Sequence, residues 1–127
     1  MVPVTAFFAG LLALIFIALS VYVIVRRYTV KVAIGDGGDT IISRRIRAHA
    51  NFAEYVPIAL ILMALNEING ASESWLALAG WALVLGRLLH AFSLTRFEVR
   101  RGKIIFRQIG MALTFTVIAV LALSAMA

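Results

Sequence analysis

Four long apolar stretches divide the chain, and they differ in how they are interrupted. Val4 to Val25 and Ile109 to Met126 contain no charged residue. Ile46 to Leu65 is interrupted by Arg47, His49, Asn51 and Glu54, and Trp75 to Phe92 by Arg87 and His90. Each stretch is close to the roughly 20 residues that a helix needs to cross about 30 Å of hydrocarbon. The pattern predicts an all-α integral membrane fold, a four-transmembrane-helix up-down bundle. Its helices are expected at about residues 4–25, 43–65, 75–95 and 104–126, in a single domain over 1–127. The first stretch is too long for a signal-peptide core and no small-residue cleavage site precedes Arg26, so it reads as a retained helix. Trp75 and Trp81 suit an interfacial anchor near the start of the third helix.

Composition sharpens this picture. With 63% hydrophobic and 14% charged residues and a mean hydropathy of +1.01, the chain lacks the polar faces of a soluble domain and has the opposite of a disordered composition. A net charge of +6 would raise the question of nucleic acid in a soluble protein. The placement of the twelve cations answers it differently. Arg26, Arg27, Lys31, Arg44, Arg45 and Arg47 lie in or beside the first connector, and Arg87, Arg96, Arg100, Arg101, Lys103 and Arg107 in or beside the third. The second connector holds Glu67 and Glu73 and no cation. By the positive-inside rule the basic side is expected to be cytosolic, with both termini outside, in a multi-pass protein of the bacterial inner membrane; no nucleic-acid partner is expected.

The connector Gly35-Asp36-Gly37-Gly38-Asp39 matches neither a Walker nor an EF-hand spacing and reads as a tight turn, with Asp39 or Thr40 capping the second helix. Without cysteine there is no disulfide or thiolate-metal chemistry, and neither His49 nor His90 has a carboxylate at i+3 or i+4, so no metal site is expected. Gly80 and Gly86 are placed for close helix packing.

Ionisable groups inside a membrane helix are expensive and usually face the bundle interior. Arg47, Asn51, Glu54 and Tyr55 fall at i, i+4, i+7 and i+8 on one stripe. Counting from the outer helix ends puts Glu54 and Arg87 at similar depth, which predicts a buried ion pair between them, whether as a helix lock or as part of a site. Pro57 removes the amide that would bond Ala53 and predicts a local bend just past Glu54. His90, three residues beyond Arg87, is a candidate hydrogen-bond donor to a ligand.

A cavity lined by Arg47, Asn51, Arg87 and the cations after the third helix, with Glu54 and Tyr55 among them, suits an anion that also carries an amine. Guanidinium forks match carboxylates, and Glu54 would take an ammonium. Glutathione fits this description without being singled out by it. A neighbouring arginine would stabilise its thiolate and so activate the nucleophile.

The run Ile46-Arg47-Ala48-His49-Ala50-Asn51-Phe52-Ala53-Glu54-Tyr55-Val56-Pro57 resembles the second-helix signature of the MAPEG superfamily, the membrane-associated proteins in eicosanoid and glutathione metabolism. Gly35-Asp36-Gly37-Gly38 and Gly86-Arg87-Leu88-Leu89-His90 extend the resemblance to the bacterial branch. The resemblance implies a homotrimer of four-helix subunits that binds glutathione as co-substrate between neighbouring subunits and conjugates it to hydrophobic small-molecule electrophiles dissolved in membrane lipid. It assigns Arg47, Asn51, Glu54, Tyr55 and Arg87 to glutathione binding. It also implies a thiolate-stabilising arginine near the start of the fourth helix, at Arg101, with Arg100 or Arg107 as alternatives. Members acting on eicosanoids carry tyrosines where this chain has His90 and Leu94, which weakens any reading toward leukotriene chemistry. The expected activity is that of a membrane-bound glutathione transferase, with glutathione peroxidase activity as a second expectation. The alternatives are a protein of this fold without turnover and a small four-helix multidrug transporter. The transporter is disfavoured because the first helix has no ionisable residue and Arg47 and Arg87 would repel a cation.

Overall fold

Pro3 opens the first helix, α1 (Pro3–Val30), where its missing amide costs no hydrogen bond. Val2 has no side chain to cap the turn, and the cap comes from the far end of the chain's second helix. The Glu67 carboxylate accepts hydrogen bonds from the Val4 and Thr5 amides at 2.9 and 2.8 Å. In α2 (Thr40–Ile68) the cap is local: Asp39 Oδ1 accepts from the Ile42 amide at 2.8 Å, as the connector sequence led us to expect. The helix continues through Pro57 without interruption. α3 (Glu73–Phe92) starts under a Ser72 cap. It then widens into one π-helical turn, Ser93–Phe97, and tightens again into the short α4 (Glu98–Arg101). The sequence had extended the regular helix to residue 95. Gly102, in the left-handed region, ends this run and α5 (Ile105–Met126) closes the bundle.

This is a computed structural model of residues 1–127, helical with no strand. The four long helical segments, Pro3–Val30, Thr40–Ile68, Glu73–Arg101 and Ile105–Met126, are each long and apolar enough to cross a membrane. α3 lies most closely along α5 and α1 along α2, with α2 also touching α3 and α5. The shared core takes Phe8 and Leu12 from α1, Phe52, Val56, Ala59 and Met63 from α2, Leu83 and Val84 from α3, and Val117 and Leu121 from α5.

A close backbone approach joins α3 to α5. A Cβ built on Gly86 would lie 2.9 Å from the Gly110 carbonyl oxygen, and one built on Gly110 would lie 2.5 Å from the Gly86 carbonyl oxygen. Two glycines facing each other bring the backbones of α3 and α5 together. Arg87, next to Gly86, and Thr114, about one turn beyond Gly110, can then meet directly. Gly80 serves the same end elsewhere, since the Phe8 ring occupies the space a side chain would need.

Candidate functional site

Arg87 is 1% exposed, and no carboxylate reaches it. Its Nε donates to Thr114 Oγ1 at 3.0 Å, Nη1 to Asn51 Oδ1 at 2.6 Å and Nη2 to Met111 Sδ at 3.3 Å. Its guanidinium carbon also stands 5.7 Å from the centre of the Tyr55 ring, within the range of a cation–π attraction. Thr114 in turn donates to the Gly110 carbonyl at 2.8 Å. A buried cation is thus held by neutral dipoles and an aromatic face, and its charge remains uncompensated.

The predicted Glu54–Arg87 ion pair does not form. Glu54 pairs instead with Arg47 of its own helix, through Nη1–Oε1 at 3.0 Å and Nη2–Oε2 at 3.3 Å, and both side chains are about half exposed. Matching depth was not enough, because pairing also requires matching azimuth. Seven residues return to within about 20° of the same helix face, so Arg47 and Glu54 point together. Asn51, three residues before Glu54, is turned inward and buried.

Between α2, α3, the π turn and α5 lies a cavity of about 360 Å³. Its lining includes Arg47, Asn51, Tyr55, His90, Arg107 and Gln108. Met111, Leu94 and Ile104 supply its apolar wall. A more polar recess of about 490 Å³ adjoins it toward the basic end, sharing Arg47, Leu94, Ile104 and Arg107. Arg87 lies behind the wall formed by Asn51, Tyr55 and Met111, so its unpaired charge, together with Arg47 and Arg107 that each stand beside an acid, leaves one partly apolar space net positive. In a low-dielectric setting that arrangement attracts an anion more strongly than it would in water.

Of the residues picked out in the sequence, Arg47, Asn51, Tyr55 and His90 line the cavity, and Arg87 supports it from behind. Glu54 stands outside it. Among the three loop cations Arg107 lines both compartments, whereas Arg100 and Arg101 lie on the exposed surface and line neither.

Several contributors carry little signal in the sequence. Glu98, 6% exposed, accepts from Ser93 Oγ at 3.1 Å and pairs with Arg44 Nη1 at 3.2 Å and Arg107 Nε at 3.3 Å. Arg44 Nη1 also donates to the Leu94 carbonyl at 3.3 Å. This knot ties α2 to the π turn and sets Arg107 at the mouth of the cavity. An acid among six third-connector cations was the one available signal. Gln108, Met111 and Thr114 sit one helical turn apart in an otherwise apolar run, and that spacing could have marked them.

Residues 5–127 match the MAPEG family. The chain is 37% identical over 122 residues to the inner membrane protein YecN of Escherichia coli strain K12, covering 95% of this chain and 88% of that protein. The same figures hold for the protein of that name in Escherichia coli O6:H1. No solved structure matches. The signature on α2, the Arg87 run on α3 and a match that reaches nearly from end to end agree: this four-helix membrane protein belongs to the MAPEG family.

Proposed function

We propose that the protein is a membrane-bound glutathione transferase, with glutathione held in the cavity between α2, α3 and α5. The observation that carries this reading is the uncompensated, buried Arg87 behind a cavity already lined by Arg47 and Arg107. Such a space favours a polyanion. Arg107, which meets Glu98 only through Nε, offers a free fork for a carboxylate. Arg47, whose own fork is taken by Glu54, reaches the ligand by exchanging that partner. Asn51, His90 and Gln108 offer hydrogen-bonding groups, and the Met111 and Leu94 wall accepts the apolar part.

In the proposed reaction the glutathione thiol loses its proton to solvent. The sulfur lone pair then forms a bond to an electrophilic carbon, and a leaving group departs with its electron pair, or an added proton completes a conjugate addition. Arg107 is our choice for the cation that stabilises the thiolate, because it lines the cavity whereas Arg100 and Arg101 stand outside. The barrier is lowered by holding the thiolate beside a membrane-dissolved substrate and by fixed charge around the sulfur.

A homotrimer is part of this proposal. The Arg47–Glu54 pair supports it, since the pair stands half exposed on the isolated subunit at a depth where lipid would leave it poorly satisfied. Localisation in an inner membrane is supported by the name of the E. coli relative. Cytosolic basic loops and outward termini are supported by the collection of cations at one end of the bundle. The chain contains no cysteine, so single cysteines placed at Ser72 and at Lys103 would report orientation by side-selective labelling.

The function is tested by adding glutathione to detergent-purified protein and measuring binding heat, thiolate absorbance and conjugation to a generic aromatic electrophile. All three are expected. Absence of all three would overturn the proposal, and binding without conjugation would leave a glutathione-binding member of the family without turnover.

A further inference from the structure

The basic end of α1 holds a second charged cavity that the proposed reaction does not use. The charge-free stretch Val4–Val25 spans about 33 Å at 1.5 Å per residue, which brings Arg26 and Arg27 to the edge of the hydrocarbon. Arg26 is occupied with Asp39, at 2.6 Å. Arg27 and Lys31 are not: no carboxylate pairs with either, and Arg27 Nε is buried without a hydrogen-bond partner.

The fold builds a pocket around them. Lys31 adopts the left-handed conformation, with φ 59° and ψ 42°, and the Val32 amide donates to the Arg27 carbonyl at 3.0 Å. The chain therefore turns sharply back, and Asp39 pins its far side through Arg26. The result is a cavity of about 450 Å³ lined by Ile24, Arg27, Tyr28, Lys31, Val32 and Ala33. Ile24 also belongs to an exposed apolar stripe with Ile17 and Val21, at 56%, 49% and 48% exposure for Ile17, Val21 and Ile24. These residues recur at four and three positions and so lie along one face of α1.

We propose that this cavity binds the headgroup of an anionic phospholipid, with an acyl chain lying along Ile24, Val21 and Ile17. Two cations with no acid beside them match a phosphodiester whose lipid carries net negative charge. A zwitterionic lipid would bring an ammonium that meets no carboxylate there. The apolar lining, continuous with the lipid-facing stripe, selects a membrane lipid over a soluble phosphate.

The test is native mass spectrometry of the full-length protein in detergent with equal amounts of phosphatidylglycerol and phosphatidylcholine. Each cation near a lipid headgroup contributes roughly a fivefold preference, so wild type should favour phosphatidylglycerol by about 30-fold. The double variant Arg27→Gln/Lys31→Gln should lose that preference, and Arg100→Gln/Lys103→Gln, which removes equal charge from the exposed loop, should keep it. The proposal is overturned if the first variant retains the preference or if the second loses as much. It is also overturned if inorganic phosphate displaces the lipid, or if a second copy of the chain, seen as a lipid-insensitive oligomer lost in the first variant, covers this face. Hydrogen exchange on wild type needs no variant to fold. Phosphatidylglycerol should slow exchange across residues 31–39 where phosphatidylcholine does not, and equal protection by both would refute the assignment.

Discussion

Replacing Gly110 by alanine tests the step on which the site depends, the close approach of α3 and α5. The new Cβ would sit 2.5 Å from the Gly86 carbonyl oxygen and 2.8 Å from the His90 amide nitrogen, about 0.9 and 0.6 Å inside the 3.4 Å at which ordinary contact begins. Both obstacles are backbone atoms, so no rotamer change relieves them and the helices must separate. Overpacking of this kind costs about 1–3 kcal/mol. A separation approaching 1 Å would also carry the 3.0 Å bond from Arg87 Nε to Thr114 Oγ1 out of hydrogen-bonding range. Losing a bond to a buried charge adds about 1.5–3 kcal/mol, offset by up to about 1 kcal/mol from alanine's better helix propensity. The expected net loss is therefore about 1.5–6 kcal/mol, measured by reversible unfolding of the detergent-solubilised protein. Gly10→Ala is the control, since nothing lies within 4 Å of its added Cβ. Thr114→Val should cost stability in the wild type and almost nothing more in Gly110→Ala. A loss below about 1 kcal/mol, or full additivity of the two substitutions, would refute the account of Arg87 as a cation positioned by paired glycines.

Glu98→Gln leaves Arg44 and Arg107 without their shared carboxylate. It should cost about 2–3 kcal/mol, less than the 3–5 of a fully buried pair because both guanidiniums reach solvent; an unfolding midpoint equal to wild type would contradict the role given to the knot. Glu54→Gln should cost less than about 1 kcal/mol in a monodisperse subunit, as expected for a half-exposed pair. A double-mutant cycle with Arg87→Gln should show no coupling, and a clear recovery in the double variant would restore a direct Glu54–Arg87 pair. The Asp39 carboxyl is held below the usual carboxylate range first by its hydrogen bond from Arg26 and then by that from the Ile42 amide. Its folded-state value is depressed, so its contribution to stability is complete above the ordinary range near 4 and is lost as pH falls through the depressed value. Acid titration of stability should accordingly flatten in Asp39→Asn relative to wild type, and an unchanged acid limb would show that the cap carries no linkage.

The long-range plan of the molecule was legible because lipid imposes a simple rule on sequence. Each span is a run of apolar residues of fixed minimum length, and four such runs leave little freedom in topology. The caps were partly legible for a related reason. Asp39 acts on its own helix through a local spacing, whereas Glu67 caps α1 from more than sixty residues away, and no local pattern announces a partner at that distance. Depth along a helix could also be counted, since rise per residue is constant. The direction in which a side chain points relative to a neighbouring helix could not, because it depends on how the two helices are rotated against each other. Depth alone pairs Glu54 with Arg87, whereas the rotation that buries Asn51 turns Glu54 toward Arg47.

The π turn accounts for why Arg107, and not Arg100 or Arg101, lines the cavity. Counting forward from Arg87 assumes that regular helix, then loop, then regular helix carries each cation to a definable place. Between Ser93 and Phe97 the helix widens, and α4 and the Gly102 reversal follow before α5 begins. Each departure rotates and displaces everything after it. Arg100 and Arg101 consequently end on the outside of the short helix, while Arg107, in the first turn of α5, reaches the cavity. The same irregular segment buries Ser93 and Glu98, and Glu98 then holds Arg107 by its Nε. Because this contact occupies only one nitrogen, the terminal fork remains free for an anion. The irregularity that complicates counting is therefore what brings Arg107 to the cavity. It also makes the cation's position depend on Glu98, a residue that does not line the inner cavity.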